Sequence, residues 1–138
     1  MGIYMPEIIV RKVLHLQQRY PTVGDWWFDP EEEYSGGALQ IKVSIMGNDH
    51  YETLVAIHEI IEAILCKSRG ISESDVTAFD VQYESDRDKG LHEETSEPGN
   101  DPAAPYYREH QFATKVERLI ADELGVDWDE YDKAVNTL

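Results

Sequence analysis

The sequence predicts an α+β fold in which three to five helices pack on a small antiparallel β-hairpin or sheet. Three observations support this prediction. The chain has 138 residues, of which 41% are hydrophobic, as is typical of one compact domain covering residues 1–138. Alternating apolar and polar side chains at 39–46 indicate a half-buried strand. Several other stretches carry apolar residues at helical spacing.

The first third of the chain is predicted to contain one helix and one hairpin. Residues 7–19 carry an approximate helical stripe of apolar side chains between two prolines, which predicts a helix. Residues 22–28 contain an aromatic pair and precede an Asp-Pro turn signal, so we expect a short strand there. The alternating stretch 39–46 provides a second strand, and a hairpin joining the two is the most economical arrangement.

Capping signals predict two helices in the middle of the chain. Asp49, with Glu52 three residues later, has the pattern of a capping box. The helix that it begins is expected to extend to about residue 68 and to stop at Gly70. Ser72 is the predicted cap of a second helix, which extends to about residue 86.

The last third of the chain combines a long loop with two further helices. Residues 87–104 are rich in glycine, proline and acidic residues and have almost nothing to bury, so we predict a flexible acidic loop. Pro105 begins a helix over residues 105–124. Asp127 is expected to cap a short final helix over residues 128–136.

Composition limits the classes of partner. The net charge is −16, from 12 basic and 28 acidic residues, and this disfavours nucleic acids and anionic membranes because like charges repel. No signal-peptide pattern and no apolar run long enough to span a bilayer is evident. Cys66 is the single cysteine, so no internal disulfide can form and a cytoplasmic location is expected.

Three ionisable residues interrupt an apolar run at 54–65. Burial of such groups is unfavourable unless something pairs with them. His58 and Glu62 are four residues apart and therefore project from the same side of a helix, at the border of its apolar face. Glu59 lies beside them, further towards solvent. The residue types and their spacing favour a divalent-metal site.

The helix predicted at 105–124 offers further ligand types. His110 and Glu117 are seven residues apart, so they lie on one line that borders the apolar side of this helix. Asp80 borders the apolar stripe of the 72–86 helix. Asp80 or Glu117 would add a fourth ligand, or accept a hydrogen bond from the free N–H of a ligand histidine.

A catalytic zinc site needs three protein ligands and one open position. His58, Glu62 and His110 supply this set. Zinc would acidify a bound water molecule, and Glu59 would accept the proton as a general base. We therefore predict zinc, or another divalent metal, as the cofactor.

The segment His58-Glu59-Ile60-Ile61-Glu62 resembles the active-site helix of the zincin metallopeptidases, whose motif is H-E-x-x-H. Zincins with a downstream glutamate ligand use two histidines and one glutamate; here the same composition is permuted, with Glu62 in the second motif position and His110 downstream. The resemblance implies a zincin-like fold and a zinc-dependent metallohydrolase with a peptidase-like site, a metal-bound water and a peptide or small-molecule substrate. More loosely, the chain resembles small phage-encoded or prophage proteins of unassigned role.

Two alternatives remain open from the sequence. The acidic residues Glu59, Glu62, Asp80 and Glu84 are similar to the magnesium-binding arrangement of all-α nucleotide pyrophosphohydrolases, since oxygen ligands suit magnesium. In a non-enzymatic acidic binding or assembly protein, the same positions would instead form pairs between helices. His58 with Glu62 would then be a hydrogen-bonded pair at a helix–helix seam, and His110 a histidine at the edge of the core.

Overall fold

A computed structural model describes residues 6–31 and 37–138. It confirms the α+β class, with four helices packed on a small mixed sheet. The strands are β1 (Ile8–Val13), β2 (Gly24–Phe28) and β3 (Leu39–Ser44). The helices are α1 (Asp49–Ser68), α2 (Glu73–Asp88), α3 (Tyr107–Glu123) and α4 (Trp128–Asn136).

The predicted hairpin is confirmed. β2 pairs antiparallel with β3, with Trp26 opposite Ile41. Three residues of β3 that alternate along the strand are at most 1% exposed: Leu39, Ile41 and Val43. This alternation places one face of β3 in the hydrophobic core. The two strands thus carry Trp26 towards the helices.

The predicted helix at residues 7–19 is wrong. This segment forms β1 and a short 3-10 helix, His15–Gln17. β1 pairs parallel with β3, so the strand order is β1-β3-β2 and the sheet is mixed rather than purely antiparallel. The sequence of β1, IIVRKV, is rich in β-branched residues that fit a pleated sheet. Pairing with β3, which is distant in sequence, outweighs the helical stripe.

The predicted helix α1 is confirmed, but its cap differs by one residue. The side chain of Asn48, rather than Asp49, accepts the hydrogen bond from the backbone N–H of Tyr51 at 3.1 Å. Leu54, Ala63 and Cys66 are fully buried in the core beneath the sheet. α1 therefore lies with one side on the sheet, and it also packs against α3.

The remaining predicted helices are confirmed as well. Ser72 and Asp127 cap α2 and α4, each accepting a hydrogen bond from a backbone N–H three residues later. α2 continues to Asp88, two residues beyond the predicted end. Among the described residues, no helix is both long and apolar enough to cross a membrane.

The acidic segment between α2 and α3 is held against both helices. It contains a 3-10 helix, Pro98–Asn100. Tyr83 in α2 donates a hydrogen bond to Ser96 at 2.8 Å, and Gln111 in α3 donates one to Asn100 at 2.9 Å. These bonds place the segment across the start of α3.

Candidate metal centre

The three predicted metal ligands converge in the structure. His58 and Glu62 come from α1 and His110 from α3, and all three side chains are buried. Nε2 of His58 lies 3.0 Å from Oε2 of Glu62 and 3.1 Å from Nδ1 of His110. Nδ1 of His110 lies 2.9 Å from the same Glu62 oxygen. Two nitrogens and one oxygen thus form a nearly equilateral triangle.

The size of this triangle is close to that of a metal-ligand set. A tetrahedral zinc ion with bonds of about 2.0–2.2 Å holds its ligand atoms about 3.3–3.6 Å apart. The three atoms would need to separate by only about 0.2–0.7 Å to accept such an ion. Two imidazole nitrogens that face each other at 3.1 Å would repel through their lone pairs unless a proton or a cation lay between them.

The second nitrogen of His58 has an acceptor. Nδ1 of His58 lies 2.8 Å from Oε1 of Glu117, and the Tyr131 hydroxyl donates to the other Glu117 oxygen at 2.6 Å. With the proton on Nδ1, the lone pair on Nε2 faces the triangle. Glu117 therefore lies where it can accept a hydrogen bond from the Nδ1–H of His58, which is the second of the two roles predicted for it.

The second nitrogen of His110 also faces a carboxylate. Nε2 of His110 lies 3.5 Å from Oε2 of Glu97, in the acidic segment. Gly99, two residues further, lies against the imidazole ring. Sequence reasoning missed both residues, because a loop carries no periodic signal that would place them on His110.

The second oxygen of Glu62 accepts a hydrogen bond from Trp26 Nε1 at 3.0 Å. The indole thereby fixes the orientation of the carboxylate and leaves Oε2 in the triangle. Trp26 is itself buried in the hydrophobic core. Its hydrogen bond depends on the register of β2 over α1, for which the sequence has no local signal.

Glu59, the predicted general base, is 9% exposed and lines a cavity beside the cluster. In the described part of the chain its carboxylate makes no hydrogen bond. It lies against Gly24 of β2, where an added Cβ atom would be 2.5 Å from Oε1 of Glu59. Burial raises the pKa of Glu59 well above its usual range, and the negative charge of Glu62 raises it further. A carboxyl group of this kind can hold a proton near neutral pH.

The other predicted acids are engaged elsewhere. Asp80 accepts hydrogen bonds from the hydroxyls of Tyr20 and Tyr106. Burial raises the pKa of Asp80 to about 6, although these hydrogen bonds lower it. Glu84 pairs with Arg87 at 2.5 Å. The four acids of the magnesium alternative therefore do not form one cluster in the described structure, where His58, Glu62 and His110 do.

The cluster retains protons when no cation displaces them. Burial lowers the pKa of His110, but its interactions with Glu62 and Glu97 outweigh burial and raise the pKa to about 9. Burial also opposes charge on His58, yet its bonds to Glu117 and Glu62 hold its pKa well above the usual range. Cation binding would therefore release protons from the two imidazoles.

A cavity of about 980 Å³ opens beside the cluster. Its walls include Glu59 and the three residues that supply the triangle, His58, Glu62 and His110. Four aromatic residues also line it: Tyr20, Trp26, Tyr106 and Tyr131. This volume lies at the upper end of the range of about 300–1,000 Å³ typical of small-molecule sites. A cavity of this size can accommodate a drug-sized molecule beside the cluster.

Comparisons with known protein families, with curated proteins and with solved structures find no match to this chain. The assignment of the site therefore rests on its geometry and chemistry.

Proposed function

We propose that the protein is a zinc-dependent metallohydrolase with a peptidase-like site. The observation that carries this proposal is the triangle formed by His58, Glu62 and His110. The second polar atom of each side chain contacts a further residue: Glu117 for His58, Trp26 for Glu62 and Glu97 for His110. Two histidines and one glutamate are a common ligand set of catalytic zinc. A bound divalent cation would supply Lewis acidity, which activates water and polarises a carbonyl oxygen.

The protein's own residues would perform the remaining steps. Glu59 borders the cavity beside the triangle. Its carboxylate would take a proton from an attacking water molecule and pass it to the leaving group. Glu117 and Trp26 would hold His58 and Glu62 in orientation. The cavity would exclude bulk water from the scissile bond while admitting the substrate.

A second reading is favoured by the same distances. The edges of the triangle are also hydrogen-bond lengths, so a proton-linked cluster between α1 and α3 would fit a non-enzymatic binding or assembly protein. The magnesium reading has less support, because Asp80 and Glu84 are engaged by tyrosines and by Arg87.

Metal analysis of the protein as isolated separates these readings. Purified without added metal, the protein is expected to contain one zinc ion per chain. The double variant His58→Ala/His110→Ala is expected to contain none. His50→Ala is the matched control, because His50 is exposed at the start of α1. An unchanged zinc content in the double variant, or a wild-type protein that cannot be loaded with zinc, would overturn the proposal.

A further inference from the structure

The cavity beside the cluster is far more acidic than the chain as a whole. Among the described residues that line it, eleven are Asp or Glu and two are Arg, against 28 acidic and 12 basic residues in the sequence. Both arginines are engaged. Arg87 pairs with Glu84 at 2.5 Å, and the Arg118 guanidinium lies 4.8 Å from the centre of the Trp128 ring.

Several of these acids have no basic partner. Within the described ranges, six acids of the cavity wall form no salt bridge: Glu59, Glu73, Asp80, Glu94, Asp101 and Asp132. Glu59 is the informative member, because its side chain is only 9% exposed and makes no hydrogen bond in the described part of the chain, so its negatively charged form is poorly stabilised. A positively charged group in the cavity would restore part of that stabilisation.

Carboxylates from three different elements line the same cavity. They are Glu97 from the acidic segment, Glu117 from α3 and Asp132 from α4. Burial raises the pKa of Asp132, and the negative charges of Glu97, Asp129 and Glu117 raise it further. Such a group of carboxylates from three different elements favours any ligand that adds positive charge.

We propose that the cavity selects substrates with a positively charged group, an amine or a guanidinium, next to the bond that is hydrolysed. This inference rests on the proposed function and narrows its substrate class. An acidic wall concentrates cations and repels anions before contact, and it pairs with an ammonium or guanidinium group after contact. Anionic substrates such as nucleotides would be repelled.

Binding of three matched hydroxamates to the zinc-loaded protein tests the inference. The probes are N-acetyl dipeptide hydroxamates that differ in one side chain, which is lysine, norleucine or glutamate. The hydroxamate group chelates zinc in all three, so binding itself reports an accessible metal site. The ratio between the three affinities reports the charge preference. Isothermal titration calorimetry measures both without requiring turnover.

The lysine probe is expected to bind about tenfold more tightly than the norleucine probe, and the glutamate probe more weakly than either. This preference should shrink in about 0.5 M salt, because salt screens the charges. In the double variant Glu94→Gln/Asp132→Asn, the ratio of lysine to norleucine affinity is expected to fall by about threefold. Glu123→Gln, which removes a charge from an exposed position of α3 outside the cavity, should leave the ratio unchanged.

The two possible failures are distinguishable. Equal affinity for all three probes would overturn the charge preference and leave the metal site intact. A zinc-loaded protein that binds none of them would overturn the proposed function, and the inference with it.

Discussion

Gly99 lies directly against the imidazole of His110, so close that a Cβ atom added at residue 99 would be 2.5 Å from Nδ1 of His110. That nitrogen is the one in the triangle. The backbone of Gly99 is outside the left-handed region, so alanine is compatible with its conformation. A methyl group here would act only by pushing the imidazole away.

Gly99→Ala is therefore expected to weaken zinc binding by at least about tenfold, because it displaces a ligand without removing it. Competition with a fluorescent chelator measures the affinity. Pro102→Ala, in the same segment but at an exposed position, is the control and should bind zinc as the wild type does. An unchanged affinity in Gly99→Ala would show that His110 is not a ligand in this orientation.

Glu117→Ala is expected to lower zinc affinity by about 10–100-fold, because it removes the acceptor that orients His58. Glu117→Gln keeps one acceptor oxygen and should lose less. Glu123→Ala, on the exposed side of the same helix, controls for changes in α3 itself. The outcome that contradicts this expectation is equal affinity in Glu117→Ala and Glu123→Ala.

Glu59→Gln is expected to keep one zinc ion per chain and to lower any hydrolytic turnover by about 10²–10⁴-fold, because glutamine cannot accept the proton. Glu62→Gln should lose the metal instead. The comparison uses zinc content together with cleavage of a mixed library of lysine-containing peptides. If Glu59→Gln lost its zinc, Glu59 would be a ligand rather than a base.

Asp80→Asn is expected to change the pH dependence of stability. The pKa of Asp80 is raised from 3.8 to about 6 in the folded protein. Protonated Asp80 therefore stabilises the folded state. This contribution is fully present below the pKa of the unfolded chain and is lost as pH rises through about 6. Asparagine keeps the shape of the side chain and cannot ionise.

Relative to wild type, the free energy of unfolding of Asp80→Asn should therefore rise by about 2 kcal/mol between about pH 4 and about pH 7.5. Urea unfolding with a chelator present measures this difference without a contribution from bound metal. A difference that is independent of pH would mean that Asp80 titrates at its ordinary pKa.

Most of the fold could be predicted because its signals are local. Caps at Ser72 and Asp127 and the alternation along β3 depend on neighbours in sequence, and each is confirmed. β1 could not be predicted, because its hydrogen-bonding partner lies about 30 residues away and parallel pairing leaves no turn signal between them.

The candidate site also combines contacts that local sequence spacing predicts with contacts that it does not. His58 and Glu62 share one helix, so their four-residue spacing alone predicts that they meet. His110 could be proposed only from its position at the border of an apolar face. Trp26, Glu97 and Gly99 reach the cluster through strand register and loop placement. Such contacts are set by tertiary packing, which a single sequence does not display.

The separation of the ligands along the chain has a consequence for synthesis. Glu62 and His110 are 48 residues apart. A nascent chain that has emerged only as far as α2 therefore holds two of the three ligands and would bind a cation weakly. Tight capture of zinc would begin only after α3 has emerged from the ribosome and docked on α1, so metal loading would report that these two helices have met.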